Sequence, residues 1–275
     1  MNTLRDWLEY LIERSRGCLD EETISLLYNA SKTSIDHGGE PPGEPHIVVT
    51  LPNRARAVIP VGQLPEAWEN ILHIYCLKDY DDSLIGGIGD DWIIVDAGAY
   101  IGFYTLYTAL KARRGLVVAI EPSPWQLRIL RVNVKLNRLD NVVIVDRALW
   151  SSKTRLKLYV SCYWANTSIY KHYSEEASGV CGVFEVDSVT LDDLARDIGV
   201  NHIDLLKVDV EGAELEVLKG AKNTLSRNVV RRLIIEVHED LVDSKRIVNT
   251  LLDYGYTVRT RRITSRQAIV YAVKH

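Results

Sequence analysis

The sequence predicts a doubly wound α/β sheet, on three observations. From Trp92 onward, short apolar runs alternate with helical patterns. The first run, Trp92–Asp96, passes through a glycine-bearing turn, Gly98 to Gly102, straight into a helical pattern. The last two runs, Thr257–Thr260 and Ala268–Val273, have no helix between them. Alternation calls for parallel strands joined by crossover helices on both faces, and the final pair for an antiparallel strand. The expectation is a mostly parallel, seven-stranded, Rossmann-like sheet whose ligands bind at the carboxyl ends of its strands.

In chain order, Leu4, Trp7, Leu8, Leu11 and Ile12 repeat at helical spacing, and a second helix is expected from Asp20 to Ala30 with Asp20 as cap. Thr33 to Pro45 has loop composition, rich in Gly, Pro and Ser. Ile47–Leu51 and Ala55–Val61 flank Pro52-Asn53-Arg54 as a hairpin, Pro65–Tyr75 reads as a helix, and Asp79–Asp91 as a linker. Strands are then expected at 92–96, 116–120, 142–146, 203–209 and 232–238, with helices at 101–113, 124–137, 190–198, 212–225 and 242–254. Arg155–Val160 and Val183–Val189 read as extended segments around an irregular middle. The division is an N-terminal extension, residues 1–90, serving as lid, substrate or association region, and a core domain, residues 91–275.

Composition excludes several classes. The 275 residues are 47% hydrophobic and 25% charged, which is globular and large enough for a core without staples. A net charge of -4 and a pI near 6.0 argue against bulk attachment to nucleic acid or anionic membrane. No run approaches the ~18 apolar residues of a membrane span, and the acid-bearing N-terminus is not a signal peptide. Cys18, Cys76, Cys162 and Cys181 lack close pairs, so reduced, buried thiols and a cytoplasmic location are expected.

The turn after the first core strand reads Asp96-x-Gly98-x-x-x-Gly102, with Tyr100 where a dinucleotide-binding loop would have its second glycine. A carboxylate inside such a loop repels a pyrophosphate and suits an ammonium. The ligand expected is therefore S-adenosylmethionine, which carries an ammonium and a sulfonium and no phosphate. Asp96, Gly98, Ala99, Tyr100 and Gly102 would contact it, as would Glu121 and Pro122 at the end of the next strand, where an acid can accept ribose hydroxyls. Asp146, Arg147 and Ala148 follow the third strand, where an acid could meet the adenine amino group.

A second acidic cluster ends the strand at 203–209: Asp209, Glu211 and Glu214 crowd one turn, and Lys207 on the buried strand invites a carboxylate partner. Glu236 and His238 alternate on the following strand and share a face. Together, VDAGAYIGFYTL, the EPSP stretch from Glu121, KVDVEGAELEVLKGA from Lys207 and IIEVH ending at His238 resemble the FkbM family of methyltransferases over residues 92–240. The loop marks only the broad class-I methyltransferase group; the VDVEGAE turn with the E-x-H strand is more specific. The resemblance implies S-adenosylmethionine as donor and O-methylation of a sugar, polyketide hydroxyl or related acceptor. It carries over Asp96, Gly98 and Glu121 as cofactor contacts, and Asp209, Glu211, Glu236 and His238 as acceptor-side residues.

His238 is then the natural base, oriented by Glu236 with Asp209 beside them. As an alternative, Asp209, Glu236 and His238 would hold a hard divalent cation such as Mg2+. The stretch Tyr163, Trp164, Asn166, Ser168, Tyr170, His172 and Tyr173 combines aromatics that could stack on a sugar with polar groups; Asn166 and Ser168, with Glu211, are the expected substrate contacts. The expected partner is a small hydroxylated acceptor, a sugar or lipid-linked glycan, and the N-terminal region would cover the site or form a homodimer face. Arg259, Arg261, Arg262 and Arg266 near the C-terminal hairpin, with Arg113-Arg114 at the end of the first core helix, give a basic strip that could touch RNA, so ribose methylation is the second enzymatic reading and a cofactor-binding scaffold the non-enzymatic one.

Overall fold

The computed structural model describes residues 4–34, 45–80 and 82–274. The loop expected between Thr33 and Pro45 lies, apart from its ends, outside the described residues. Helices α1 (Leu4–Ser15) and α2 (Glu21–Ser34) come first, and Asp20 caps α2, its Oδ1 accepting from Thr23 N at 2.7 Å. Strands β1 (His46–Thr50) and β2 (Arg56–Pro60) form the expected antiparallel hairpin. Helix α3 (Leu64–Ile71) continues through a wider turn over Leu72–Cys76.

The core follows as β3 (Ile93–Ala97), α4 (Phe103–Ala109), β4 (Leu116–Ile120), α5 (Pro124–Leu136), β5 (Val142–Val145), β6 (Ala148–Leu149), β7 (Arg155–Ser161), α6 (Lys171–Ser178), β8 (Val180–Val189), α7 (Leu191–Asp197), β9 (Leu205–Val208), α8 (Glu214–Lys219), α9 (Lys222–Ser226), β10 (Arg232–His238), α10 (Ser244–Asp253), β11 (Thr257–Arg262) and β12 (Gln267–Val273). The main sheet has seven strands in the order β11-β12-β10-β9-β3-β4-β5. Only β12 runs antiparallel to its neighbours, as expected. The helix expected at 212–225 is two, because the chain bends at Gly220, where a Cβ would lie 2.1 Å from the carbonyl oxygen of Trp150.

Strand order places the site. β3 pairs with β4 on one side and with β9 on the other, so the crevice opens at the carboxyl ends of β3 and β9, where the direction of winding reverses. β6, β7 and β8 form a separate small sheet beside it. The N-terminal region shares one hydrophobic core with α4 and β3: Trp68, Leu72 and Ile59 pack in the same buried cluster as Phe103, Leu106 and Ile94. Trp68 is completely buried, and its indole N–H donates to Ser15 Oγ at 2.8 Å. Asn133 and Asn137, one turn apart on α5, present side-chain amides to the backbone of β2. Asn133 Oδ1 accepts from Val58 N at 2.7 Å and Asn137 Oδ1 from Arg56 N at 2.8 Å, so a helix supplies the pairing that a neighbouring strand would otherwise give.

The cysteines depart from expectation. Cys18 is disulfide-bonded to Cys76, and Cys162 to Cys181, so none is a reduced thiol. Wide sequence spacing hid the pairs, which only tertiary folding brings together. The first bond ties the end of α1 to the turn after α3; the second closes the excursion between β7 and β8. Among the described residues no helix is long and apolar enough to cross a membrane. Loop closure alone puts each disulfide at about 3–4 kcal/mol. Replacing either pair by serine is expected to lower the melting temperature by about 5–10 °C, measured by calorimetry under non-reducing conditions.

Candidate active site

A cavity of about 300 Å³ lies along the carboxyl ends of the central strands, running from Ala148–Trp150 past Glu121 and Gly98 to Asp209 and Glu236. Gly98 must be glycine on two grounds: its φ is +76°, and a Cβ there would come within 1.7 Å of the Asp209 carbonyl oxygen. The loop is held from both sides. Gly98 N and Ala99 N both donate to Ile120 O at 3.0 Å, and Tyr100 N donates to Glu121 Oε2 at 2.9 Å. Ser123 N donates to Glu121 Oε1 at 2.8 Å. Glu121 thus shapes the loop and also lines the cavity, with lone pairs left on both oxygens for a ligand. Tyr100 and Pro122 line it too, whereas Ala99 is buried behind and Gly102 starts α4.

Three more expected cofactor contacts stand elsewhere. Asp96 is fully buried and is not on the cavity wall: Thr105 Oγ1 donates to its Oδ2 at 2.6 Å, and Lys207 Nζ lies 3.3 Å from its Oδ1. Lys207 also lies 3.3 Å from Asp209 Oδ2 and donates to Gly98 O at 2.9 Å. Burial favours the neutral amine, but the charges of Asp209 and Asp96 outweigh it and hold Lys207 protonated. The acid in the loop therefore answers an internal ammonium instead of a ligand's. Asp146 and Arg147 point to solvent, Asp146 beside Arg131 at 3.5 Å, and the wall at that end is made by Ala148, Leu149 and Trp150.

The acidic turn after β9 is built around His238. Glu211 (φ +52°) and Gly212 (φ +99°) both take left-handed backbone, and a Cβ on Gly212 would lie 2.2 Å from Leu241 Cδ1. This reversal folds Glu214 back, so that its Oε1 accepts from Gly212 N at 2.9 Å and meets His238 Nδ1 at 2.9 Å. On the other side of the ring, His238 Nε2 lies 3.1 Å from Glu211 Oε2 and 4.0 Å from Asp209 Oδ1. Tyr173 OH donates to Glu211 Oε2 at 2.6 Å. Burial works against the charged ring, but Glu211 and Glu214 raise His238 well above its ordinary value. His238 is a buried imidazolium, 3% exposed and absent from the cavity wall. Both ring nitrogens of the expected histidine base face carboxylates, Nδ1 toward Glu214 and Nε2 toward Glu211.

At this end of the cavity the carboxylates of Asp209, Glu211 and Glu236 line the wall. Tyr80 OH contacts Glu236 Oε2 closely and Asp209 Oδ2 at 3.1 Å. A phenol has one proton, so the second contact is satisfied when Glu236 carries a proton of its own. Burial, reinforced by the charge of Asp209, raises Glu236 to about 7. Gln267 Nε2 holds its other oxygen at 3.1 Å. Asp209, Glu211 and His238 are close enough together to share an ion, with Glu211 in the place expected for Glu236. Of the expected substrate contacts, Asn166 and Ser168 both line the cavity, and Ser168 Oγ additionally donates to Glu211 O at 2.6 Å.

Residues 96–258 match the model of the methyltransferase FkbM domain. The chain belongs to the FkbM methyltransferase family. It is 32% identical to methyltransferase sdnD of Sordaria araneosa over 204 residues, 65% of this chain and 78% of that protein. It is also 32% identical to the hexuronic acid methyltransferase AglP of Haloferax volcanii over 163 residues, 59% of this chain and 62% of that one. The crystal structure of a methyltransferase FkbM from Methylobacillus flagellatus superposes with a TM-score of 0.52 at 16% identity, over 98% of this chain. At that identity the likeness is one of fold, and the present chain spans 58% of the other's length.

Several groups around the FkbM-family site were not singled out in the sequence. Tyr80 sits in a stretch that reads as linker, and its place between Asp209 and Glu236 has no local signal. Glu66, Glu69, Asn70 and His73 line the cavity at a spacing of three and four. That stripe was legible as the polar face of an amphipathic helix, which ordinarily faces solvent. Gly98→Ala is expected to weaken S-adenosylhomocysteine binding at least tenfold by calorimetry, because the loop must move off Asp209; unchanged binding would show that the loop does not contact the donor.

Proposed function

We propose that this FkbM-family methyltransferase uses S-adenosylmethionine to methylate a hydroxyl of a small, glycan-like acceptor. The observation that carries the reading is the continuity of one cavity from the Gly98–Glu121 loop to the carboxylates Asp209, Glu211 and Glu236. The donor fits the first half: a glycine loop pressed against Asp209, an acid at Glu121 with free lone pairs, and an apolar end at Leu149. Gly98, Tyr100, Glu121 and Pro122 would hold it, and it supplies a methyl group activated on sulfonium. Both acceptor-side relatives and chemistry point to oxygen, since the Haloferax relative is named for a hexuronic acid.

This chain's own residues then position the hydroxyl and take its proton. Glu236 is the base that the geometry favours: it faces the cavity, titrates near neutral pH, and is fixed by Gln267 and Tyr80. Asp209, 3.3 Å from Lys207 Nζ, orients the same hydroxyl through Tyr80. His238 keeps Glu211 and Glu214 in place as their counter-ion. A magnesium ion does not fit this arrangement. Lys207 already serves Asp209 and the His238 imidazolium already serves Glu211, so the acids have internal cations, and a histidine would have to lose its proton to ligate. Three of the four arginines that the RNA reading relies on are partnered, Arg261 with Asp79 at 3.0 Å, Arg262 with Glu239 at 3.6 Å and Arg266 with Asp240 at 3.5 Å, which weighs against that reading. Of the cell's compartments, the disulfides favour an oxidising one, or a cytoplasm that tolerates structural disulfides, over an ordinary reducing cytoplasm.

Radiolabelled methyl transfer to glycan, RNA and protein pools tests the reading, with label expected in the glycan pool. Once an acceptor is in hand, kcat should fall as pH drops through about 7, because Glu236 becomes protonated and can no longer accept. Glu236→Gln should lower kcat by about 100-fold and remove that limb of the profile. EDTA treatment should leave turnover unchanged; recovery of activity only with added magnesium would overturn the metal-free arrangement.

A further inference from the structure

The polar face of α3 is turned inward. Leu64, Ala67, Trp68 and Ile71 fill the core, as the apolar face of a helix should, yet Glu66, Glu69, Asn70 and His73 on the other side line the cavity, Glu66 buried and the other three partly exposed. Three of these have partners. His73 Nδ1 meets Asp79 Oδ2 at 2.5 Å, His73 Nε2 lies 3.9 Å from Glu69 Oε1, and Asn70 Nδ2 donates to Glu66 O at 3.0 Å.

Glu66 differs. It is 8% exposed, and its buried Oε2 has no hydrogen-bond partner. Leaving a buried carboxyl oxygen unmatched costs about 1–3 kcal/mol, so such an atom on a cavity wall points to a ligand that completes it. Burial raises the Glu66 carboxyl to about 8. The group sits beside the aromatic end of the cavity: on the preceding turn, Gln63 is paired in both directions with the 162–164 backbone, accepting from Trp164 N at 2.8 Å and donating to Cys162 O at 3.1 Å. His73 lies at the opposite end, near Asp79 and Glu236. Seven residues of helix separate Glu66 from His73, a span of about 10 Å. The wall is also acidic, with carboxyls at Glu66, Glu69, Asp209, Glu211 and Glu236 and, among the described lining residues, only His73 as a basic side chain.

We propose that α3 is the acceptor's specificity wall. Resting on the O-methyltransferase reading, Glu66 accepts a hydrogen bond from a hydroxyl or ammonium on a second sugar ring, at the end of this wall away from His73 and Glu236. Among the described lining residues the one basic side chain, His73, is already partnered by Asp79 and Glu69, so a carboxylate or phosphate on that ring finds no counter-ion there. The acceptor class is thus a neutral or amino disaccharide or longer glycan, in contrast to the hexuronic acid for which the Haloferax relative is named.

The test uses the full chain with S-adenosylmethionine and four probes: methyl glucoside, methyl maltoside, a chitosan disaccharide, and a disaccharide with glucuronic acid as its second ring. The neutral and amino disaccharides should be methylated with kcat/KM at least tenfold above both the monosaccharide and the glucuronyl disaccharide. Glu66→Leu should raise KM for the two favoured disaccharides at least tenfold, leave kcat within about threefold, leave methyl glucoside unaffected, and leave S-adenosylhomocysteine affinity within about twofold. Glu66→Gln, which keeps a carbonyl acceptor and the side chain's shape, should restore the neutral disaccharide but not the amino one. Preference for the glucuronyl probe, or an unchanged KM in Glu66→Leu, would overturn the inference while leaving O-methylation intact. A tenfold loss of S-adenosylhomocysteine affinity in Glu66→Leu with acceptor KM unchanged would also overturn it, by moving Glu66 to the donor side. Methylation of none of the four would overturn the glycan-hydroxyl reading, and this inference with it.

Discussion

Lys207 is an ammonium buried at the point where the sheet changes direction, and the site is arranged around it. It lies between Asp96 on β3 and Asp209 after β9, and it holds the carbonyl of Gly98 in the loop between them. Removing an ammonium from water is costly, and only close carboxylates and a well-placed carbonyl make the burial tolerable. The three partners come from the two strands that flank the crevice. One interaction therefore fixes the height of the glycine loop and the spacing of β3 and β9. Removing one partner would leave an uncompensated buried charge, which is far more damaging than replacing the whole group with apolar side chains.

His238 repeats the device on the neighbouring strand. Its ring bridges Glu214, folded back by the Glu211-Gly212 reversal, and Glu211, whose left-handed backbone turns its carboxyl toward the cavity. The two cations, Lys207 and His238, take up most of the charge of the acidic turn. Glu236 is left beside Asp209 with no cation of its own in contact, and burial, reinforced by the charge of Asp209, raises it to about 7 while its neighbours are tied into ion pairs. The N-terminal region completes the picture from above. Its Tyr80 joins Asp209 to Glu236, its α3 closes the cavity, and the Cys18–Cys76 bond pins the turn from which that stretch departs.

The strands and the glycine loop were legible in the sequence because their signals are local. Alternation of apolar runs and helical patterns gave β4 and β10 to the residue, and the loop spacing excluded a dinucleotide. The roles within the site were less legible, since a side chain's role depends on which way it points and on what faces it. Asp96 was expected to meet a ligand and meets Lys207 instead. His238 was expected to be a base, and the carboxylates that keep it charged come from a turn 24 residues earlier in the chain. Asp146 follows its strand as expected but faces solvent.

What the sequence determined by itself is the sheet, its single antiparallel strand, the family and the segments that carry chemistry, all of which rest on periodicity and short motifs. Tertiary structure alone decided which acids are ligand-facing and which are counter-ions, that four widely spaced cysteines form two bonds, and that the polar stripe of α3 looks into a cavity. The physical reason is the same in each case. Charge state, disulfide pairing and solvent access depend on neighbours brought together from distant parts of the chain, and no window of local sequence contains them.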